Sequence, residues 1–353
     1  MHISAQTLRD RLRGSLIAAA ATPMTADGDV DLDLVTRYLA GLVADGAGAL
    51  AVLAHTGRGP FLPPEVRAGV IERAVALGVP VLVGVGGHPT TSHPDQAATE
   101  TALDGAVTDG AVTDGAVTDG AVTDGAVTGE AALERAVERT VAEARVAAGL
   151  GAAGVLVFPG AGDRVALHDA VWRACGLPMI AFDLYTRPCP PDVLAALLAH
   201  PGVAGLKTAL LSDAMGCQRA IALARRAGRL AITGEDRMFG PSLLWGAEAA
   251  LVGIAAAGVE ITAAVLETFR GRDLRAFEEA SARLDRLAQV TFTEPMEGYV
   301  QRMLWLAEAE GRIPGRYAHD PYGPPLHEAE RAEVVRHRGR ARPGDQGEAG
   351  LAT

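Results

Sequence analysis

Lys207 is the only lysine among the chain's 32 Lys and Arg side chains. Charge and solubility are served equally well by arginine, but only lysine offers a nucleophilic amine, because the guanidinium stays protonated and forms no imine. Lys207 also closes the apolar run Val203-Ala-Gly-Leu-Lys207, where a surface lysine is out of character. To attack a carbonyl the amine must be neutral, and burial can bring a lysine pKa from ~10.4 towards ~7–8. The resulting iminium withdraws electrons from the adjacent carbon, so a carbon–carbon bond can form or break there, or water can be lost. The bland alternative is an arginine bias that spared one lysine by chance, which requires no pocket around it. His55, in Ala54-His55-Thr56-Gly57-Arg58, is a second candidate, since an imidazole titrates near neutrality and suits proton transfer. It serves equally as a hydrogen-bonding structural residue.

Around these residues the chain is 353 residues long, 49% hydrophobic and 21% charged, enough to bury a full core. A net charge of −11 argues against nucleic acid or a membrane surface as partner, since both need a cationic face, and leaves a small molecule as the expected ligand. Cys175, Cys189 and Cys217 are odd in number and lack CxxC spacing, which opposes a disulfide framework or a zinc site and favours a reducing cytoplasmic setting. With no metal-ligand cluster, phosphate loop or nicotinamide fingerprint in the sequence, no cofactor is expected. The opening Arg9-Asp-Arg-Leu-Arg13 and Leu16-Ile-Ala-Ala-Ala-Ala21 imitate a signal peptide. They run into Thr22-Pro23 and Asp27-Gly28 without a convincing cleavage site, so a first buried strand explains them better. No stretch approaches the ~20 apolar residues of a membrane span.

The elements that must position Lys207 follow a βα rhythm. Short apolar runs at 16–21, 49–53, 80–84, 154–158, 179–183, 203–207, 230–233 and 249–254 alternate with helical patterns at 33–44, 64–77, 130–148, 167–174, 191–200, 214–227 and 238–244. Eight continuous apolar strands suit a sheet buried on both faces, and a closed α/β (β/α)8 TIM barrel of ~250 residues provides one, with catalytic residues at the strands' carboxyl ends. A doubly wound open sheet is the alternative, lowered by the lack of GxGxxG after the first strand.

Two segments break the rhythm. Asp-Gly-Ala-Val-Thr occurs five times in tandem over 104–128. An odd period flips alternate repeats across a strand and a glycine every five residues weakens a helix, so 88–129 is expected to be a mobile low-complexity insertion. Its aspartates match neither the EF-hand loop nor the nine-residue calcium repeat. The tail, 327–353, is rich in Arg, Glu, Gly and Ala without apolar periodicity and is expected to be disordered, leaving 1–326 as the folded unit.

Taken in order, the motifs resemble the dihydrodipicolinate synthase / N-acetylneuraminate lyase superfamily of Schiff-base class I aldolases, over roughly 14–88 and 138–326. Thr22-Pro23 with Asp27-Gly28-Asp-Val-Asp31 is similar to the family's opening. Ala54–Arg58 stands where the family has Gly-Thr-Thr-Gly-Glu, followed by Leu62-Pro-Pro-Glu-Val-Arg67. Pro80-Val-Leu-Val-Gly-Val-Gly86 and Leu177-Pro-Met-Ile-Ala-Phe-Asp183 resemble the third and fifth strands. Gly205-Leu-Lys207 resembles the Schiff-base lysine motif, and Gly234-Glu-Asp236, Gly246 and Gly253 the segments after it. The resemblance implies a barrel with extra C-terminal helices, a homodimer or homotetramer, and a lyase or aldolase acting on a 2-keto acid such as pyruvate, with an aldehyde as candidate co-substrate. Dehydratase or hydratase–aldolase chemistry through the same iminium is its nearest variant. A barrel that binds a keto acid without turning it over is the reading from a different class.

Departures from the family bear on mechanism. His55 replaces a threonine that passes protons in the synthases, and Arg58 replaces a glutamate and is read as a surface residue in preference to a site residue. The fifth strand's Tyr-Asn, whose phenol is the family's general acid/base, is here Phe182-Asp183, and the tyrosine pair after the fourth strand is replaced by Phe158-Pro-Gly-Ala161. A strict dihydrodipicolinate synthase is therefore not expected. Proton transfer falls to His55, Tyr185, a water or the substrate's own carboxylate. Arg187 aligns with an arginine that binds a substrate carboxylate in some members. The expected site has Lys207 and His55 as catalytic residues, with Thr56, Gly57, Phe182, Tyr185 and Arg187 binding substrate and no metal.

Overall fold

The computed structural model describes residues 1–87 and 122–340. Eight parallel strands close into a barrel in sequence order: β1 (Leu16–Ala19), β2 (Ala49–Val52), β3 (Val81–Val85), β4 (Gly154–Val157), β5 (Met179–Leu184), β6 (Val203–Ala209), β7 (Leu230–Thr233) and β8 (Ala249–Val252). β1 hydrogen-bonds to β8 as well as to β2, so the sheet has no edge and the open doubly wound alternative is excluded. Helix α1 (Ile3–Leu12) precedes the barrel. α2 (Leu32–Ala44), α3 (Pro64–Val75), α4 (Val122–Gly149), α5 (Arg164–Cys175), α6 (Pro191–Ala199), α7 (Ala214–Arg226) and α8 (Phe239–Leu244) lie between successive strands. α9 (Val259–Gly271), α10 (Leu274–Thr291), α11 (Tyr299–Ala309) and α12 (Glu328–Arg340) follow β8.

All eight strands are buried along their whole length, which is why they read as apolar runs without alternation. Alternate residues still part company. Ile17, Leu82, Leu156, Ile180, Leu230 and Leu251 fill the barrel together with Leu8 and Leu12 of α1. Leu16, Val83, Val155, Ala181 and Val203 face the outer helices. Leu8 reaches Gly154 at the start of β4, so α1 closes the amino-terminal end of the barrel and leaves the carboxyl end for a site.

One irregularity aims the key residue. Along β5 and β6 the register runs Met179 to Val203, then Ile180 to Gly205, skipping Ala204. Ala204 faces inward, and strict alternation from it would turn residue 207 outward. The skipped residue restores the inward phase, so Lys207 stands beside its register partner Phe182, which also faces inward.

Two boundaries differ from the sequence expectation. α4 starts at Val122, inside the repeat, where 88–129 was read as a mobile loop. Extending a helix that is already nucleated downstream costs far less than starting one, and outweighs the glycine at 125. The rest of the repeat lies outside the described residues. α12 occupies 328–340 of the tail read as disordered. Its Val334 is buried, Glu330 pairs with Arg302 at 2.8 Å and Arg331 with Glu308 at 2.6 Å, so tertiary contacts supply what the composition lacks. Residues 341–353 lie outside the described residues.

Candidate active site

Lys207 projects from β6 into a cavity at the carboxyl ends of the strands, whose walls include His55, Thr56, Phe182, Tyr185, Asp236 and Tyr299. It is 8% exposed, and this burial pulls the ammonium below its usual range, against the pull of Asp236 and Glu235. The Nζ atom lies 4.2 Å from the centroid of the Phe182 ring. An aromatic face attracts a cation, so the ring that cannot transfer a proton can still stabilise an iminium on this nitrogen, by about 0.5–2 kcal/mol. Gly234, just past β7, makes room for the lysine: a Cβ there would sit 2.5 Å from Lys207 Cε.

Two carboxyls follow Gly234. Asp236 lines the cavity with its Oδ1 accepting the Ile254 N–H at 2.7 Å, and burial pushes its pKa up. Glu235 is fully buried, accepts the N–H groups of Leu210 and Leu211, and is pushed up to about 7 by desolvation. It thereby fixes the backbone that leads out of β6.

The opposite wall joins the loop after β2 to the segment after α10. Thr56 Oγ1 lies 3.0 Å from the Tyr299 hydroxyl, and the Tyr299 ring stacks on Phe292 at 4.9 Å. Burial holds the Tyr299 phenol protonated far above neutrality. Behind this wall stands Glu297, from the short turn Met296–Gly298. Its Oε2 is 2.9 Å from His55 Nε2 and accepts from Arg58 Nη1 at 3.2 Å, while Oε1 accepts the Tyr185 hydroxyl at 3.1 Å. Desolvation alone would raise this carboxyl, but the hydrogen bonds and charges of His55 and Arg58 outweigh it and hold it at about 2. Tyr185 is pushed the other way by burial and by the Glu297 charge.

Of the residues expected at the site, Lys207, His55, Thr56, Phe182 and Tyr185 line one cavity. Gly57 lies behind it, where a Cβ would come 2.9 Å from the Leu53 nitrogen, so glycine is needed for backbone packing. Arg187 is not brought in. A tight turn links Leu184 to Arg187, turning Tyr185 inward and leaving Arg187 exposed on a separate open cleft beside Arg164 and Asp192. Arg58 corrects the surface reading: it is 3% exposed, with Nη2 2.6 Å from Asp320, and so replaces the family glutamate with a buried cation that ties loop to tail. Sequence reasoning missed Glu297 and Tyr299 altogether. The chain has only five tyrosines, and one at the head of the apolar run that becomes α11 was the available signal.

Residues 12–113 match the model of the dihydrodipicolinate synthetase family. The 4-hydroxy-tetrahydrodipicolinate synthase of Prochlorococcus marinus strain MIT 9303 is 41% identical over 80 residues, 22% of this chain and 26% of that protein. Among solved structures, YagE, a prophage protein of the dihydrodipicolinic acid synthase family from E. coli K12 in complex with pyruvate, superposes with a TM-score of 0.72 at 17% identity, covering 93% of this chain and 98% of that one. N-acetylneuraminate lyase from Mycoplasma synoviae superposes with a TM-score of 0.67 at 16% identity, covering 94% and 97%. Residues 12–113 thus resemble the dihydrodipicolinate synthetase family, and the chain as a whole shares the fold of these neighbours. Sequence alignment to the curated synthases spans about a quarter of their length (26%). The family-matched stretch includes the loop Ala54–Arg58, whereas Lys207, Glu297 and Tyr299 lie beyond it.

Proposed function

We propose that this chain is a lyase of the aldolase type that binds a 2-keto acid of pyruvate type as a Schiff base on Lys207. The observation that carries the reading is the placement of the sole lysine: buried, inward-facing and above an aromatic ring, in a cavity with hydroxyl groups on the opposite wall. The neutral amine attacks C2 of the keto acid, and the carbinolamine hydroxyl leaves as water with a proton from the site, giving an iminium over Phe182. The cation then draws the C2–C3 electrons towards nitrogen. C3 can lose a proton to form an enamine, which adds to an aldehyde, or the C3–C4 bond of a longer keto acid can break to give the same enamine. The N–H groups of His55 and Thr56 make no hydrogen bond among the described residues, so they, with Thr56 Oγ1, suit a carboxylate.

Phenols at Tyr299 and Tyr185 line the cavity despite the loss at Phe182, which favours turnover over a barrel that only binds. We read the protein as cytoplasmic and homo-oligomeric. Three free cysteines suit a reducing compartment, and among the described residues no helix is long and apolar enough to cross a membrane. The test is release of pyruvate from a panel of 4-hydroxy-2-keto acids. At least one should be cleaved by the wild type and none by Lys207→Arg, and cleavage surviving that substitution would contradict the proposal.

A further inference from the structure

Resting on the Lys207 Schiff-base reading, we propose that Glu297 is a positioning residue, which fixes the tautomer of His55 so that Nδ1 takes and returns the proton on the keto acid's C3. An ionised carboxylate can only accept hydrogen bonds. With Glu297 Oε2 2.9 Å from His55 Nε2, that nitrogen must carry the proton, and the lone pair of the neutral imidazole is on Nδ1. Nδ1 has no hydrogen-bond partner among the described residues. His55 lines the cavity that holds Lys207, whereas Glu297 stands outside that lining, so the carboxylate acts through the ring and does not touch substrate.

The other groups facing this proton are less suited to it. Tyr185 has its hydroxyl proton on Glu297, and losing it would set a phenolate against a carboxylate at 3.1 Å. Tyr299 is committed to Thr56 and held protonated by burial. Phe182 has no proton to give. Asp236 faces the cavity with Oδ1 already accepting the Ile254 N–H, and Glu235 is turned away onto Leu210 and Leu211. Arg58 is a permanent cation that holds Glu297 ionised.

The step balances without an oxidant or reductant. His55 Nδ1 takes a proton from C3, the C3–H pair becomes the C2–C3 double bond, and the C2–N π pair moves onto nitrogen to give the enamine. The imidazolium so formed is paired with Glu297, and reversal returns a proton from a ring that has exchanged with solvent.

Exchange of the pyruvate methyl protons in D2O, followed by proton NMR beside borohydride trapping of pyruvate, isolates this step without an acceptor. In Glu297→Gln the charge that favours the Nε2–H tautomer and pairs with the imidazolium is lost, while Arg58 stays paired with Asp320. The variant should trap pyruvate as the wild type does and exchange protons about 100-fold more slowly, with an altered pH profile of exchange. His55→Gln should match it, and the double variant should be no slower than either, because the two act as one unit. Wild-type exchange and an unchanged pH profile in Glu297→Gln would overturn the proposal, as would a parallel loss of trapping and exchange, which marks a merely structural role. A wild type that traps pyruvate without exchanging it overturns the proposal alone. One that does neither removes the Schiff-base reading, and the proposal with it.

Discussion

A single amine surrounded by carboxyls sets the pH behaviour at the scale of residues. Burial lowers the Lys207 pKa more than Asp236 and Glu235 raise it, so the reactive neutral form is populated at a lower pH than in an exposed lysine. At limiting pyruvate, the rate of adduct formation should climb with pH and level off well below ~10.4; a rate still climbing there means the amine is not desolvated. Tyr299→Phe removes one hydroxyl and leaves Thr56 Oγ1 without its partner, and is expected to cost about 1 kcal/mol in urea unfolding while lowering the trapped fraction at subsaturating pyruvate. An unchanged trapped fraction would place that hydroxyl outside the substrate's reach. Lys207 was legible in the sequence because no other residue type can form an imine and no other lysine competes. Glu297 and Tyr299 were not, because they meet His55 and Thr56 across more than 240 positions of chain, with separations of 242 and 243. Arg187 was misjudged because one turn decides which of Tyr185 and Arg187 faces inward.

The elements act on the site through register and close approach. Gly234→Ala would place a methyl 2.5 Å from Lys207 Cε, forcing the lysine arm aside. Displacement of about 1 Å at a reacting atom can cost on the order of 100-fold in rate, so adduct formation in this variant should slow by about that factor. Far-UV circular dichroism should stay the same, and a wild-type trapping rate would show that the arm has room. The eight strands were legible because each is buried on both faces and so reads as a short apolar run bounded by polar helix starts. Helix limits were harder. The start of α4 is set by propagation from downstream residues, and α12 is held by Val334 and by pairs to Arg302 and Glu308, none of which local composition reveals. The skipped Ala204, on which the direction of Lys207 depends, has no sequence signature.

Across the whole molecule, the segment after β8 folds back over the barrel mouth and completes the site from outside it. Arg58 is the tie: Asp320 has a side chain with no exposure, and Arg58→Ala would leave that carboxylate buried and unpaired, at a cost of about 3–5 kcal/mol in unfolding free energy. A loss below about 1 kcal/mol would mean that the tail is held by other contacts. Glu297 gives this closure a pH dependence. Its pKa in the fold, about 2, lies below its ordinary 4.5, so its stabilisation is fully present above pH 4.5 and is lost as pH falls towards 2. The melting-temperature gap between wild type and Glu297→Gln should therefore close across that window, and a gap unchanged down to pH 2 would contradict the ion pairing. The most direct test of the central claim is also made on the whole chain, since Lys207 and the α-amino terminus are its only primary amines. Incubation with pyruvate and borohydride should raise the intact mass by one reduced adduct, mapping to the peptide that contains Lys207, and Lys207→Arg should abolish it without unfolding the protein. A folded wild type that gains no mass at Lys207 from pyruvate, or gains it only at the amino terminus, would contradict the Schiff-base account.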